Sequence, residues 1–236
     1  MTDFHSHILP GMDDGSRSAE MSLEMLETMA RQQIRTVVAT PHFYATDEAP
    51  QSFLARREEA LSRLRGVWRP GLPAVCLGAE VAFFTGISRS EQIGALCVRG
   101  TRILLVEMPF DRWSESVIAE LIALRAQRGF ITVVAHIERY ASFQARGIEE
   151  RLSGQGILLQ TNASCLLERR TSKYAQRLIA QRQILLLGSD AHNMTSRPPN
   201  LGEAAAFLAQ KDPASCARVA RFSAALLGSA ERVLGP

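Results

Sequence analysis

The chain of 236 residues holds five histidines, and each stands at or beside the end of an apolar, strand-like run. His5 and His7 form an H-S-H after Asp3, ahead of the acidic turn Gly11-Met12-Asp13-Asp14-Gly15. His42 follows Thr36-Val-Val-Ala-Thr-Pro41, and His136 follows Ile131-Thr-Val-Val-Ala135. His192 closes Ser189-Asp190-Ala191-His192 after Ile184-Leu-Leu-Leu-Gly188. Imidazole and carboxylate together are a ligand set for divalent cations. Their placement at strand ends points to a metal centre assembled at one end of a barrel or sheet.

Each motif also has an ordinary alternative. In an extended segment residues i and i+2 point the same way, so His5 and His7 can share one ion. A polar terminus with chance histidines would look similar, but the other three histidines fall at matching places. Asp190 and His192 repeat the alternate spacing, although a lone D-A-H also reads as a helix N-cap with a surface histidine. Glu80 ends Ala74-Val-Cys-Leu-Gly-Ala79 and Glu107 ends Ile103-Leu-Leu-Val106. A carboxylate just after a buried apolar strand is costly unless paired, solvated or metal-bound. An arginine partner would satisfy either one; Glu80 is the candidate bridge between ions. A D-D-G turn is common without any ligand, yet its closeness to H-S-H makes one of Asp13 and Asp14 a candidate.

These residues need elements to hold them. The chain alternates strand-like and helix-like segments throughout. Strands are expected at Asp3–His5, Thr36–Thr40, Ala74–Glu80, Arg102–Glu107, Ile131–His136, Gly156–Thr161 and Ile184–Gly188. Most are short unbroken apolar runs, as in a parallel sheet buried on both faces. Helices are expected at Ala19–Gln33 (N-cap Ser18), Gln51–Arg65, Ser114–Arg128, Tyr140–Leu152, Ser172–Arg182, Leu201–Gln210 and Ala214–Leu227, with a short Ala230–Leu234 turn packed outside. Unbroken β-α alternation without a linker or repeat argues for one domain over 1–236, a closed or nearly closed (β/α) barrel. A doubly wound open sheet is the alternative. In a barrel every histidine motif lies at a strand C-terminus, the face where active sites are built.

The bulk composition excludes more than it assigns. Hydrophobic residues make up 46%, ample for a large core, and the formal charge of +3 is small. Arginine supplies almost all the positive charge, Lys173 and Lys211 being the lysines, and no dense basic tract supports nucleic-acid binding. Cys76, Cys97, Cys165 and Cys216 are far apart and form no C-x-x-C, which reads as reduced packing residues of a cytosolic protein. No signal peptide is expected, since Asp3 and His5 interrupt the start, and no apolar run approaches a membrane span. A phosphatase cysteine loop, C-x5-R, is absent: the sixth residues after the cysteines are Ala82, Ile103, Thr171 and Phe222. There is no Gly-rich phosphate loop and no G-x-S-x-G.

The opening M-T-D-F-H-S-H-I-L-P-G-M-D-D-G resembles the N-terminal signature of the PHP (polymerase and histidinol phosphatase) superfamily. It is most similar to the bacterial manganese-dependent tyrosine-protein phosphatases of the capsule and exopolysaccharide branch. The resemblance continues through V-V-A-T-P-H-F at 37–43, G-A-E-V at 78–81, L-L-V-E-M-P at 104–109 and V-A-H-I-E-R-Y at 134–140. It goes on through Q-T-N-A-S at 160–164, G-S-D-A-H-N at 188–193 and R-P-P-N at 197–200, so it spans essentially the whole chain. It implies a distorted (β/α)7 barrel with three divalent ions, most characteristically Mn, with Fe, Zn or Mg as alternatives. One ion would take His5, His7, Glu80 and Asp190; a second Glu80, Glu107 and His136; a third Asp14, His42 and His192. The resemblance thus favours Asp14 over Asp13, and it matches the phosphate-gripping arginines to Arg139 and Arg197.

The implied reaction is hydrolysis of phosphotyrosine on the tail of a bacterial tyrosine autokinase, in the cytoplasm, by attack of a metal-bridging hydroxide. Phenolate is a comparatively good leaving group, so a general acid is dispensable. Aromatic residues follow the ligands: Phe43, Tyr44, Phe83, Phe84, Phe110, Trp113 and Tyr140. Most should cap the barrel, and some of Phe43, Tyr44, Phe110 and Trp113 should rim an open cleft and stack on a substrate ring. Three other functions compete. A small-molecule phosphomonoesterase such as histidinol-phosphate phosphatase belongs to the same superfamily. Amidohydrolases also open with H-x-H, but usually take a bridging lysine from a mid-chain strand, and neither Lys173 nor Lys211 ends one. A non-catalytic regulator binding the phosphorylated tail has little reason to keep every ligand type.

Overall fold

The computed structural model describes residues 1–235. Its strands are β1 (Thr2–Ser6), β2 (Thr36–Ala39), β3 (His42–Phe43), β4 (Ala74–Leu77), β5 (Glu80–Ala82), β6 (Ile103–Glu107), β7 (Ile131–Val134), β8 (Leu158–Asn162) and β9 (Ile184–Gly188). Its helices are α1 (Ala19–Arg31), α2 (Pro50–Val67), α3 (Glu115–Ala126), α4 (Ile148–Gly154), α5 (Ala163–Leu167), α6 (Ser172–Ala180), α7 (Leu201–Lys211) and α8 (Pro213–Leu226). Local chemistry sets several boundaries. The Ser18 and Ser114 hydroxyls accept from the backbone amides of Met21 and Val117, and Asp212 caps α8 ahead of Pro213. Helix α1 buries Met25, Leu26 and Met29 on one face.

All strand pairs within the sheets are parallel, in the orders β1-β2-β4 and β3-β5-β6-β7-β8-β9. The two sheets share their strand directions, because β2 runs on into β3 across Thr40-Pro41 and β4 into β5 across Gly78-Ala79. Proline lacks the N–H a ladder needs, so a break at Pro41 is expected. Hydrogen bonds carry the pairing over both breaks: Gly78 N donates to Ala39 O at 2.8 Å and Glu80 N to Pro41 O at 3.0 Å. Beyond β9 the chain returns to β1. Ser6 and Ala191 form a parallel bridge, Asp190 N donates to His5 O at 2.8 Å, and His7 N donates to Ala191 O at 2.9 Å.

Apolar side chains form two separate clusters. The larger lies between strands and helices and includes Met25, Leu26, Phe53, Leu61, Leu121, Leu152, Ile179 and Leu208. The smaller unites Phe4 of β1, Val38 of β2, Cys76 of β4, Ile103 and Leu105 of β6, Val133 of β7 and Leu186 of β9, with Leu227 and Ala230. Strands buried on two opposite faces explain why the sequence runs are continuous rather than alternating.

Two expected elements differ, and one is new. In place of a helix over Tyr140–Leu152 there is a 3₁₀ turn, Ile137–Tyr140, and a short α4 beginning at Ile148. The reason is that Tyr140 is fully buried, its hydroxyl accepting from Met108 N, which ties the turn down before a helix can start. The five-residue α5 was not expected. The Ala230–Leu234 stretch is not a packed turn: Leu234 bridges antiparallel to Val75 at the start of β4.

Candidate metal centre

Strand parity aims the candidate ligands. In β2, β4, β6 and β9 the smaller cluster takes Val38, Cys76, Leu105 and Leu186. Counting on by twos along each strand reaches His42, Glu80, Glu107 and Asp190, on the same face and one or two steps further along. Two strands break the count. In β1 the pairing register shifts between Asp3 and Ser6, so Phe4 joins the apolar cluster while His5 and His7 both enter the polar one. After β7, His136 has φ 30°, and Asp190 has φ 54°. The other non-glycine residues with positive φ, Gln33 and Arg182, merely terminate α1 and α6. Left-handed backbone at two candidate ligands is strain of the kind functional sites hold.

All nine candidates fall into overlapping groups whose ligand atoms lie within 4.8 Å of one another: His7, Asp14, His42 and His192; His5, His7 and Asp190; His5, Glu80 and His136; His42, Glu80 and Glu107. Glu80 is central: its Oε2 lies 3.1 Å from His5 Nε2, 3.3 Å from His7 Nε2 and 3.0 Å from His42 Nδ1, and its Oε1 2.8 Å from His136 Nε2. Glu107 approaches His136 Nε2 at 3.6 Å, and Asp190 Oδ1 lies 3.4 Å from His7 Nε2. Asp14, mostly exposed, is 3.6 Å from His42 Nε2 and 3.3 Å from His192 Nε2. Asp13 instead binds His7 Nδ1 at 2.7 Å and accepts from the amides of His42 and Gly15. It orients a candidate ligand and belongs to none of the groups.

The electrostatics express crowding. Burial would lower the pKa values of His5 and His7. The Glu80 and Asp190 carboxylates outweigh it at His5; those of Asp13, Asp190 and Glu80 outweigh it at His7, so both are raised. Glu80 and Asp190 resist burial in the same way: the histidines around them hold both carboxyls below the usual range. Burial and the charge of Glu80 raise Glu107. Burial lowers His136, and burial followed by His7 takes His192 down to about 4. The cluster is a set of charges that neutralise one another only in part.

Such a set fits divalent cations. Four buried atoms, His42 Nδ1, Glu80 Oε2, His136 Nδ1 and His192 Nε2, make no hydrogen bond. Buried polar atoms are rarely left so. Three of them converge on neighbouring ligand atoms without donor–acceptor alignment, as atoms around an ion do. The mixed imidazole–carboxylate donors suit Mn²⁺, Fe²⁺ or Zn²⁺.

Supporting residues escaped the sequence reading. Strand β8 supplies none of the nine candidates, yet its Gln160 Oε1 accepts from His136 N at 2.7 Å and lies 3.3 Å from His5 Nδ1. Its Asn162 Nδ2 donates to Asp190 Oδ2 at 2.8 Å, and Gln160 Nε2 donates to Asn162 Oδ1. Glu138, pushed up to about 7 by burial, accepts from Thr161 Oγ1 and Asn162 N. Asp3 holds the Ser189 amide and hydroxyl, fixing β9 against β1. A Cβ on Gly188 would stand 2.6 Å from His5 Cβ, and one on Gly15 2.4 Å from His7 Cβ, so both histidines are packed against bare backbone. The signal for β8 was the polar Q-T-N at the end of an apolar strand.

Both arginines face the cluster. Arg197 Nη2 donates to Asp190 Oδ2 at 2.6 Å, and its Nη1 is 3.9 Å from Asp14 Oδ2. Asn193 shapes its loop by accepting from the amides of Thr195, Ser196 and Arg197. Arg139, 42% exposed, lies 3.9 Å from Asp190 Oδ2 and stacks its guanidinium over Phe110. Some of four aromatics were expected at a rim: Tyr44 and Phe110 are exposed, and Phe43 and Trp113 are buried and belong to the core. Tyr44 stacks on His42, and Phe110 lies parallel to the His136 ring.

The family described as "Capsular polysaccharide synthesis, CpsB/CapC" matches residues 1–224. The tyrosine-protein phosphatase YwqE of Bacillus subtilis is 30% identical over 210 residues, covering 84% of this chain and 79% of that protein. The tyrosine-protein phosphatase CpsB of Streptococcus agalactiae serotype III is 28% identical over 224 residues, covering 86% and 88%. A solved chain from work on YwqE of Bacillus subtilis and CpsB of Streptococcus pneumoniae, described as unique metal-dependent tyrosine phosphatases, superposes with a TM-score of 0.83 at 25% identity. That match covers 100% of this chain and 98% of the other.

Proposed function

The chain belongs to the CpsB/CapC family of capsular polysaccharide synthesis, and from that membership and the polar cluster we propose that it is a metal-dependent protein-tyrosine phosphatase. The observation that carries the reading is the convergence of nine imidazole and carboxylate side chains on one point, with two guanidinium groups beside them. Its substrate is the phosphotyrosine tail of a cognate bacterial tyrosine kinase that governs capsule or exopolysaccharide synthesis. We further propose that residues 1–236 form one domain, a distorted (β/α)7 barrel. Supporting this are the β9-to-β1 hydrogen bonds and the separate apolar cluster drawing on six strand directions. Among the described residues no helix is long and apolar enough to cross a membrane. The cytoplasm is the proposed location, where the kinase tail and four free cysteines belong.

Three divalent ions, Mn²⁺ first, would be held by His5, His7, Glu80 and Asp190, by Glu80, Glu107 and His136, and by Asp14, His42 and His192. When bound they supply a water acidic enough to be the nucleophile at neutral pH and Lewis acidity toward the phosphoryl oxygens. The chain's own residues do the rest. Arg139 and Arg197 bind non-bridging oxygens with charge-assisted bonds and offset charge developing in the transition state. Arg197 reaches them by giving up part of its bond to Asp190. Asp13 and Gln160 fix the faces that His7 and His5 present. No thiolate takes part: burial pushes Cys97 up to about 12 and Cys165 to about 11.

The test compares a phosphotyrosine peptide, a phosphoserine peptide and histidinol phosphate with Mn²⁺ present. The expected kcat/KM favours phosphotyrosine by at least about tenfold, roughly 1.4 kcal/mol in transition-state binding. Equal or better turnover of histidinol phosphate overturns the substrate assignment and leaves the metal chemistry standing.

A further inference from the structure

A second concavity adjoins the metal centre and plays no part in the chemistry above. The opening lined by Asp14, His42 and Tyr44 also has Asp47 and Glu48 in its wall. The same two residues line a neighbouring cavity of about 670 Å³, floored by Phe43, Phe84, Ile93 and Leu96. Strand β3 separates the two: alternate residues face opposite sides, so His42 serves the polar cluster and Phe43 the apolar floor. The volume lies in the range of ligand pockets and well above what one side chain needs. Phe43, Ile93 and Leu96 are buried and back the cavity, and half-buried Phe84 presents apolar surface to it. The mouth is acidic. Glu48 is engaged by Arg56, whereas exposed Asp47 and Glu91 have no cationic partner within 4.0 Å among the described residues.

We propose that this cavity is a substrate-specificity subsite, taking a large apolar side chain of the substrate protein a few residues from the phosphotyrosine, with a basic residue beside it. This rests on the phosphatase reading. The occupant follows from continuity and charge. An extended peptide whose phosphotyrosine reaches the metal centre advances roughly 3.3–3.6 Å per residue, and one laid toward β3 brings its near neighbours over the Asp47–Glu48 lip that the two openings share. An apolar side chain there gains burial against Phe84. Asp47 and Glu91 favour lysine or arginine next to it and reject the acidic residues that Arg139 and Arg197 would attract on the other flank. Specificity would thus be divided, with anion recognition on one side of the centre and apolar-plus-cation recognition on the other.

The experiment uses the Mn²⁺-loaded protein and fluorescent peptides carrying a non-hydrolysable phosphonate analogue of phosphotyrosine. Leucine is scanned through three positions on either side, against alanine, with lysine or aspartate beside it, and Kd is read by anisotropy. One or two positions are expected to bind at least about tenfold tighter with leucine than with alanine, and weaker again with aspartate adjacent. Phe84→Glu should abolish the leucine preference, and Glu91→Lys should reverse the order of lysine and aspartate while the leucine preference stays. A flat leucine scan overturns the subsite, as does a preference that survives Phe84→Glu in a protein with the wild-type circular dichroism spectrum. Hydrolysis of free phosphotyrosine by the wild-type protein is measured alongside. If that is absent while the scan shows the preference, the phosphatase reading falls, and the cavity binds phosphopeptides without serving as a substrate subsite.

Discussion

Gln160→Leu isolates the role of the strand that carries no candidate ligand. The substitution keeps the approximate volume and deletes an acceptor 2.7 Å from His136 N and 3.3 Å from His5 Nδ1, with a donor 3.0 Å from Asn162 Oδ1. The His136 amide is then buried without a partner, at a cost of about 1–3 kcal/mol. For a chain of this length that corresponds to a fall of roughly 2–12 °C in the Tm of the metal-free protein. The second effect is on metal. Hydrogen-bonded to Gln160 through Nδ1, His5 presents Nε2 to the cluster; without that bond both tautomer and ring orientation are free. Losing such an orienting partner typically costs 10–100-fold in metal affinity, about 1.4–2.7 kcal/mol. The assay is competition for Mn²⁺ against a chelator, with thermal unfolding of the chelated protein. Gln160→Glu retains the Oε1 acceptor and should recover most of the affinity, although it no longer donates to Asn162. Wild-type Mn²⁺ affinity within twofold in a folded Gln160→Leu protein would refute the reasoning and reduce Gln160 to packing.

Arg139→Ala should keep full metal content and lose about 2–4 kcal/mol of transition-state stabilisation, as removal of one preorganised donor does; metal analysis beside kcat/KM checks it, and a parallel loss of metal would reassign the residue. Arg197→Ala should weaken both, because Arg197 already bonds Asp190 at 2.6 Å. Chelation should abolish turnover and Mn²⁺ restore it, while replacing the four cysteines with alanine leaves the metal-loaded rate largely intact. Serine would be a poor substitute at Cys76, which is fully buried. Loss of rate in a folded cysteine-free protein would reinstate thiol chemistry. Phe4→Ala, in the apolar cluster beneath the centre, should cost about 3–5 kcal/mol in denaturant unfolding; a loss under 1 kcal/mol would mean that Phe4 is not enclosed.

The sequence carried the metal cluster well because histidine is scarce here and strand ends are chemically conspicuous. His42, Glu80, Glu107 and Asp190 sit at even spacings from buried apolar residues, so their direction followed from alternation alone. His5, His7 and His136 did not follow that rule. A register shift in β1 and a left-handed backbone at His136 are tertiary events with no local signature. Asp13 and Asp14 are adjacent and chemically identical, and a turn separates their roles. Gln160 and Asn162 hid because neutral amides are not ligand types, and their value depends on which strands flank β8. The helix expected from Tyr140 failed for a related reason: that ring satisfies a backbone amide 32 residues away. Of the four aromatics among which the rim was expected, Tyr44 and Phe110 are exposed, while Phe43 and Trp113 are core residues, since an aromatic next to a ligand faces the other side of its strand as often as the site.

The bridge between Ser6 and Ala191 also sets a timetable. Strand β1 leaves the ribosome about 185 residues ahead of its partners Asp190 and Ala191. At about 5–20 residues per second of synthesis, that interval is roughly 10–40 seconds. Throughout it Asp3 lacks Ser189, His5 lacks Asp190, and β1 has one neighbour, β2, instead of two. A truncated or stalled chain therefore cannot gather the full cluster, however much metal surrounds it. The nine side chains come together only when the end of β9 docks onto β1, so the site is assembled late in synthesis and all at once.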